Sequence, residues 1–189
     1  MELADEIKAN PESGARRLIA EYGDRLFAVA LWLCGCEADA MRLVNMTFMR
    51  AIERIALFTG GASLYTWLYS ILMNFWRMDM RAAKTDVVTF TDSLPERADD
   101  RPDPFETLAA KADAEAVRAA VRRLPAHYRA VAVFRFFEDM TVPEIAQIMH
   151  LAEGTVKFRL HKAKRLLRRL LAQTVDVPYV SNGNGGKRQ

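Results

Sequence analysis

The sequence is poor in the residues that staple small secreted folds. Only 2 of its 189 residues are cysteine. Cys34 and Cys36 are one residue apart, too close for a useful disulfide, as expected in a reducing cytoplasm. The 9 glycines and 7 prolines exclude collagen-like and low-complexity material. No apolar run reaches the roughly 18 residues a membrane helix requires. The longest candidate, Leu26 to Cys36, is too short, so no membrane insertion is expected. Met1 to Asn10 carries acids where an export signal needs a basic flank and an apolar run. No long β-branched alternation occurs, so strands are not expected.

Catalytic chemistry is equally thin. His127, His150 and His161 have no acid partner at catalytic spacing. Gly60-Gly61 is too short for a phosphate-cradling loop. Cys34-Gly35-Cys36 has no nearby histidine to complete a ligand set, which favours buried or helix-end thiols over a metal site. No enzyme activity, no cofactor and no metal are expected.

What is present is a 51% hydrophobic chain, enough for a packed core, with an uneven charge distribution. Residues 1–86 carry net −1, residues 87–112 net −3, residues 113–175 net +6 and residues 176–189 net +1. A near-neutral front, an acidic middle and a basic back suggest two modules, the back one facing a polyanion.

Both modules read as helical. Asn10-Pro11 is an N-cap followed by proline at the first helical position. Leu18, Tyr22, Leu26, Val29 and Leu33 then recur at helical spacing up to Gly35. Met41, Val44, Phe48, Ile52 and Ile55 form a second stripe. The loop Phe58 to Ala62 breaks it, and Ser63 can cap a third helix carrying Leu64, Leu68, Ile71, Leu72 and Phe75. From Asp86 to Asp103 the pattern collapses into prolines and acids, an extended acidic linker. A helix from Asp103-Pro104 to about Arg123 and another from Pro125 to Phe137 follow. The tail from Ser181 to Gln189 is expected to be disordered.

Thr141 to Leu166 carries a helix-turn-helix pattern. Thr141 and Glu144 form a capping box, His150-Leu151-Ala152 makes the turn, and a last helix runs from Glu153 to about Gln173. Ile145, Ile148, Leu151, Val156 and Leu160 fall where crossing helices bury side chains, and Ala146 is small where the crossing is close. Seven cations lie between Glu153 and Ala172, opposed only by Glu153. Such a helix suits phosphates, whose neutralisation releases counterions. Lys157, Phe158, His161 and Lys162, near its start, would point toward base edges. The cations further along would touch phosphates. A solvated or partner-binding basic helix is the plainer alternative.

Tyr65, Trp67, Tyr69, Phe75 and Trp76 crowd twelve residues of the third front helix, beside Asn74, Arg77 and Arg81. Aromatics next to cations suit unstacked bases, although such a stripe is more often core. Trp67 and Phe75 are expected inside, Tyr65 and Trp76 outside.

These segments, in this order, resemble a bacterial sigma factor of the extracytoplasmic-function group over about residues 12–172. Asp39 to Ala51 looks like the family's helix that binds the clamp of RNA polymerase. Leu64 to Asn74 is similar to the segment that melts and reads the −10 element. Leu124 to Leu167, with Glu144-Ile145-Ala146 and Gly154-Thr155-Val156-Lys157, looks like the −35-reading domain. The resemblance implies an all-α fold: a sigma region 2-like bundle (1–86), an acidic linker (87–112), a sigma region 4-like helix-turn-helix domain (113–175) and a tail (176–189).

It also implies partners: core RNA polymerase, promoter DNA and an anti-sigma factor, in the cytoplasm. Lys157, Phe158, His161 and Lys162 would meet −35 bases, with Arg159 and Arg165 on phosphates. The Gly60–Thr66 loop would hold a flipped −10 base; Gly61, Ser63, Tyr65, Thr66, Asn74 and Arg77 are the −10 candidates. Asp39, Arg42, Asn45, Met46 and Met49 are the polymerase candidates. The acidic linker would thread toward the polymerase active site as a nucleic-acid mimic. The family usually carries acids where this chain has Met41, Arg42 and Met46. Either Asp39, Asn45 and apolar contacts carry docking, or the chain is divergent. A sigma-like decoy and a helix-turn-helix activator that does not bind polymerase are the alternatives.

Overall fold

A computed structural model describes residues 2–82 and 114–175. The expected acidic linker, the start of the helix at Asp103-Pro104 and the expected disordered tail lie outside the described residues. Every regular element among the described residues is helical.

The first half contains α1 (Glu2–Ala9), α2 (Pro11–Cys34), α3 (Glu37–Arg54), a 3₁₀ turn (Ile55–Leu57) and α4 (Leu64–Ala82). The second contains α5 (Ala114–Arg122), α6 (Ala126–Phe136), α7 (Val142–Met149) and α8 (Glu153–Val175). The sequence predicts all of these α-helices except α1, whose eight residues lack a cap and a long periodic stripe; the 3₁₀ turn falls within the expected stripe of the second helix and is not predicted. α1 is held by tertiary contact. Its Leu3, Ala4 and Ile7 are buried, and it crosses α2 so closely that a Cβ at Gly14 would sit 2.6 Å from Ile7 Cα.

Local chemistry sets the other boundaries. Asn10 accepts a hydrogen bond from the Ser13 N–H at 3.2 Å and starts α2. Gly35, at φ 82°, ends it by donating its N–H to the Leu31 carbonyl. Ser63 Oγ accepts from the Thr66 N–H at 3.0 Å and starts α4. Thr141 and Glu144 close the expected capping box on α7. His150 adopts a left-handed conformation (φ 50°), and the Leu151 N–H reaches the Ala146 carbonyl at 3.0 Å, completing the turn into α8.

The two halves share one hydrophobic core. α6 supplies the third wall of the helix-turn-helix, as expected, but it also packs into the first half. Phe134 meets Tyr69 of α4 edge-on at 5.1 Å, and Phe137 stacks on Trp32 of α2 at 4.0 Å. Both Tyr69 and Phe134 are fully buried. Arg129 adds a polar stitch: its guanidinium donates to the carbonyls of Leu33, Arg122 and Leu124. Two of these, the Leu33 and Arg122 carbonyls, are helix-end acceptors that have no intrahelical partner.

Candidate nucleic-acid interface

α8 presents two faces. Val156, Ala163, Leu167 and Leu171 are buried along one stripe. At 3.6 residues per turn, Phe158, His161, Lys162, Arg165 and Arg169 fan out about opposite that stripe. Lys157 and Arg165 are exposed, while Phe158, His161 and Lys162 are half-buried. The Lys162 ammonium lies 5.5 Å from the Phe158 ring centroid, so the ring steers the charge. Arg159 departs from this group. It sits on the flank toward α4, near enough that Arg77 is pushed below its usual basicity, chiefly by burial and next by the charges of Arg159 and Arg81.

α4 also has two faces. One lines an open groove of about 440 Å³ with α3, walled by Arg50, Arg54, Leu57, Trp67, Ser70, Asn74, Phe75 and Met78. The Arg50 guanidinium stands 5.9 Å from the Phe75 centroid. Half-buried rings beside arginines can stack a base and neutralise its phosphate. Asn74 is exposed in this groove. Arg54 and Leu57 of this groove were outside every candidate segment, while Arg50 lies in the Asp39 to Ala51 segment and Ser70 in the Leu64 to Asn74 segment. The i,i+4 spacing of Arg50 and Arg54 was the available signal.

The other −10 candidates fall elsewhere. Gly61 is exposed in the loop. The Ser63 and Thr66 hydroxyls bond each other at 2.9 Å and cap α4, and Thr66 is buried. Tyr65 lies on the face of α4 turned away from the groove. Its hydroxyl bonds Glu138 in the second half and Tyr69, and Arg25 covers its ring at 4.2 Å. Burial, and then the Glu138 carboxylate, push the Tyr65 phenol up. Arg77 donates to the Met149 carbonyl at 2.8 Å, at the end of α7.

Three aromatic residues are placed differently from expectation. Trp76, expected outside, is 3% exposed. Trp67 and Phe75, expected inside, are half-buried and line the groove. A helical stripe fixes which rings share a face. The second half of the chain, packing on the opposite face, decides which face is covered.

On α3, Asp39, Arg42, Asn45, Met46 and Met49 share one stripe. Asp39, Arg42 and Asn45 are exposed, Met46 is half-buried and Met49 is 63% exposed. Arg42 is engaged within the molecule. It bonds Asp79 of α4 at 2.7 Å and lies 3.7 Å from Asp39, so its charge is offset by two acids. Cys34 is half-buried and pushed up to about 11, mainly by burial. Cys36 is exposed at the start of α3, its Sγ 3.0 Å from an Asp39 oxygen.

Comparison with known proteins identifies the family. The Sigma-70 region 2 family model matches residues 18–85, and the Sigma-70, region 4 model matches residues 114–167. The chain is 28% identical over 172 residues to the ECF RNA polymerase sigma factor BldN of Streptomyces coelicolor, covering 90% of this chain and 65% of BldN. It is 31% identical over 160 residues to the ECF RNA polymerase sigma factor SigL of Mycobacterium tuberculosis, covering 84% and 89%. Among solved structures it resembles the sigma factor RpoE of Bartonella quintana in complex with the anti-sigma factor NepR. The TM-score is 0.64 at 25% identity, covering 83% of this chain and 96% of that one. With the region 2 helices carrying the groove and the region 4 helices carrying the basic face, the chain belongs to the extracytoplasmic-function sigma factors of bacterial RNA polymerase.

Proposed function

We propose that this sigma factor reads its promoter with two separate surfaces and docks on core polymerase with a third. The carrying observation is that one chain presents both a basic face on the second helix of a helix-turn-helix and an arginine-lined aromatic groove. The first suits duplex DNA, whose major groove admits a helix. The second suits single-stranded bases.

In this reading Lys157, Phe158, His161 and Lys162 meet −35 base edges, and Arg165 and Arg169 meet phosphates. Gly61 and Asn74, with Arg50, Arg54 and Trp67, hold the opened −10 strand. Asp39, Asn45, Met46 and Met49 form the polymerase face, with Met41 adding a 51% exposed thioether. The exposed methionines are polarizable and adaptable, which suits a docking surface. The pairing of Arg42 with Asp79 offsets its positive charge on this face.

The chain divides functionally into 1–86, the linker 87–112, 113–175 and the tail 176–189, and it works in the cytoplasm as a transcription regulator. No helix among the described residues is long and apolar enough to cross a membrane. RpoE of Bartonella quintana is found in complex with the anti-sigma factor NepR; an inhibitor covering the α4 and α8 surfaces is the matching partner here.

The test is reconstitution of the full chain with core polymerase on a promoter library, scored by transcripts. Polymerase-dependent selection of a bipartite sequence is expected. Selection that is unchanged by polymerase would favour the activator or decoy.

A further inference from the structure

Methionine is spread unevenly over the fold. Of the 9 methionines in the sequence, Met73, Met140 and Met149 are buried. Met46 and Met80 are half-buried. Met41, Met49 and Met78 are 51%, 63% and 59% exposed. Among the described residues, the large apolar side chains left in solvent are these three together with Ile19 and Leu57.

Two of the three stand on one helix. Met41 and Met49 lie about 12 Å apart along the axis of α3 and about 80° apart around it, with the exposed Asn45 between them. The opposite side of α3 is closed, since Ala40, Leu43, Val44, Phe48 and Ala51 are buried. The neighbouring Met46 is screened: Arg42 donates to its Sδ at 3.5 Å. Arg42 is in turn tied to Asp79 at 2.7 Å. With that charge offset, the stripe presents two bare sulfurs to whatever docks on it.

An exposed thioether is open to a hydroperoxide. The sulfur lone pair forms an S–O bond to one peroxide oxygen and the O–O bond breaks. The leaving hydroxide takes the proton of the transferred hydroxyl and departs as water. Sulfur is oxidised by two electrons and the peroxide is reduced by the same two. The sulfoxide is polar where the thioether was apolar, which disrupts methionine-rich contacts. A polar oxygen buried without a partner in such a contact costs about 5- to 150-fold in affinity.

We propose that Met41 and Met49 are sulfoxidation sites at which a hydroperoxide switches off docking of this chain on core polymerase. The consequence for docking rests on the reading of α3 as the polymerase face, whereas the selectivity for these two sulfurs follows from their exposure alone. Met78 is open to the same oxidant but lines the groove, so its sulfoxide acts on strand capture and not on docking.

In the experiment the full chain is treated with dilute hydrogen peroxide. Dithiothreitol then reverses disulfide and sulfenate at the exposed Cys36. Peptide mass spectrometry locates each added oxygen, and circular dichroism follows the fold. Affinity for core polymerase is measured without DNA, so that Met78 does not contribute. Sulfoxide is expected at Met41, Met49 and Met78 well before Met73, Met140 and Met149, with native helicity. Affinity for core should fall about 5- to 150-fold, stay low after dithiothreitol, and return after treatment with the reductases for both sulfoxide epimers. A chain carrying Met41→Leu and Met49→Leu sets its own untreated reference, and peroxide should leave that affinity where it was.

Oxidation of the interior methionines as fast as Met41 and Met49, or loss of helicity alongside, would overturn the switch. So would recovery with dithiothreitol alone, an equal loss in the doubly substituted chain, or sulfoxides at both positions with undiminished affinity. An untreated chain that does not bind core at all would defeat the docking reading itself, and the switch would fall with it.

Discussion

Lys162→Ala and Arg169→Ala should fail in different ways, because one cation is steered by a ring near the start of α8 and the other stands on its exposed outer face. The Lys162 ammonium sits 5.5 Å from the Phe158 centroid, which holds it above the helix surface where a base edge would lie. A base contact of this kind is worth about 1–3 kcal/mol of discrimination, or about 5- to 150-fold. At this half-buried site the cation–π contact itself contributes about 0.5–2 kcal/mol to folding, so thermal melting of the variant is measured alongside. Arg169, given one phosphate, should weaken all promoters alike. Its loss lowers the salt slope by about 0.9, so the defect should shrink about threefold between 50 and 200 mM salt. The assay is competitive transcription by the reconstituted holoenzyme on promoters differing only in the −35 element, at both salt concentrations. Equal losses on every promoter for both variants would refute the base-contact role of Lys162.

Three further outcomes follow from the packing and the groove. Ala146→Leu should overpack the close crossing of α7 and α8, costing about 1–3 kcal/mol. At about 2–4 °C per kcal/mol for a chain of this size, thermal melting reads it directly, and an unchanged midpoint would contradict the crossing. Thr141 donates its N–H and hydroxyl to Glu144 at 2.8 and 2.7 Å, holding that carboxyl below its usual value. The folded state therefore favours the carboxylate. The stability it adds is full above the ordinary carboxylate range and is lost as pH falls through the lowered value. Thr141→Ala should cost about 0.5–2 kcal/mol at neutral pH and less in acid, as denaturant titration at two pH values would reveal. Trp67→Ala should weaken capture of the opened strand by about 1–3 kcal/mol while leaving binding to −35 duplex intact, measured with forked and fully paired templates; equal loss on both would remove the groove from the −10 role.

The sequence by itself determined the helices and the bipartite plan. Asn10-Pro11, Ser63, the Thr141–Glu144 box and Gly35 act within a turn or two of themselves, so their effects survive without tertiary context. The cations of α8 and the buried stripe behind them are likewise local, because helical periodicity alone separates them. Tertiary structure decided what lies against what. It buried Trp76, opened Trp67 and Phe75 to a groove, and turned Tyr65 from a candidate base contact into a partner of Glu138, 73 residues away. It also docked α1, which carries no strong local signal, through Ile7 against Gly14. Helical spacing specifies faces, but only long-range packing specifies which surface covers each face, and here one continuous core joins both halves around α4 and α6.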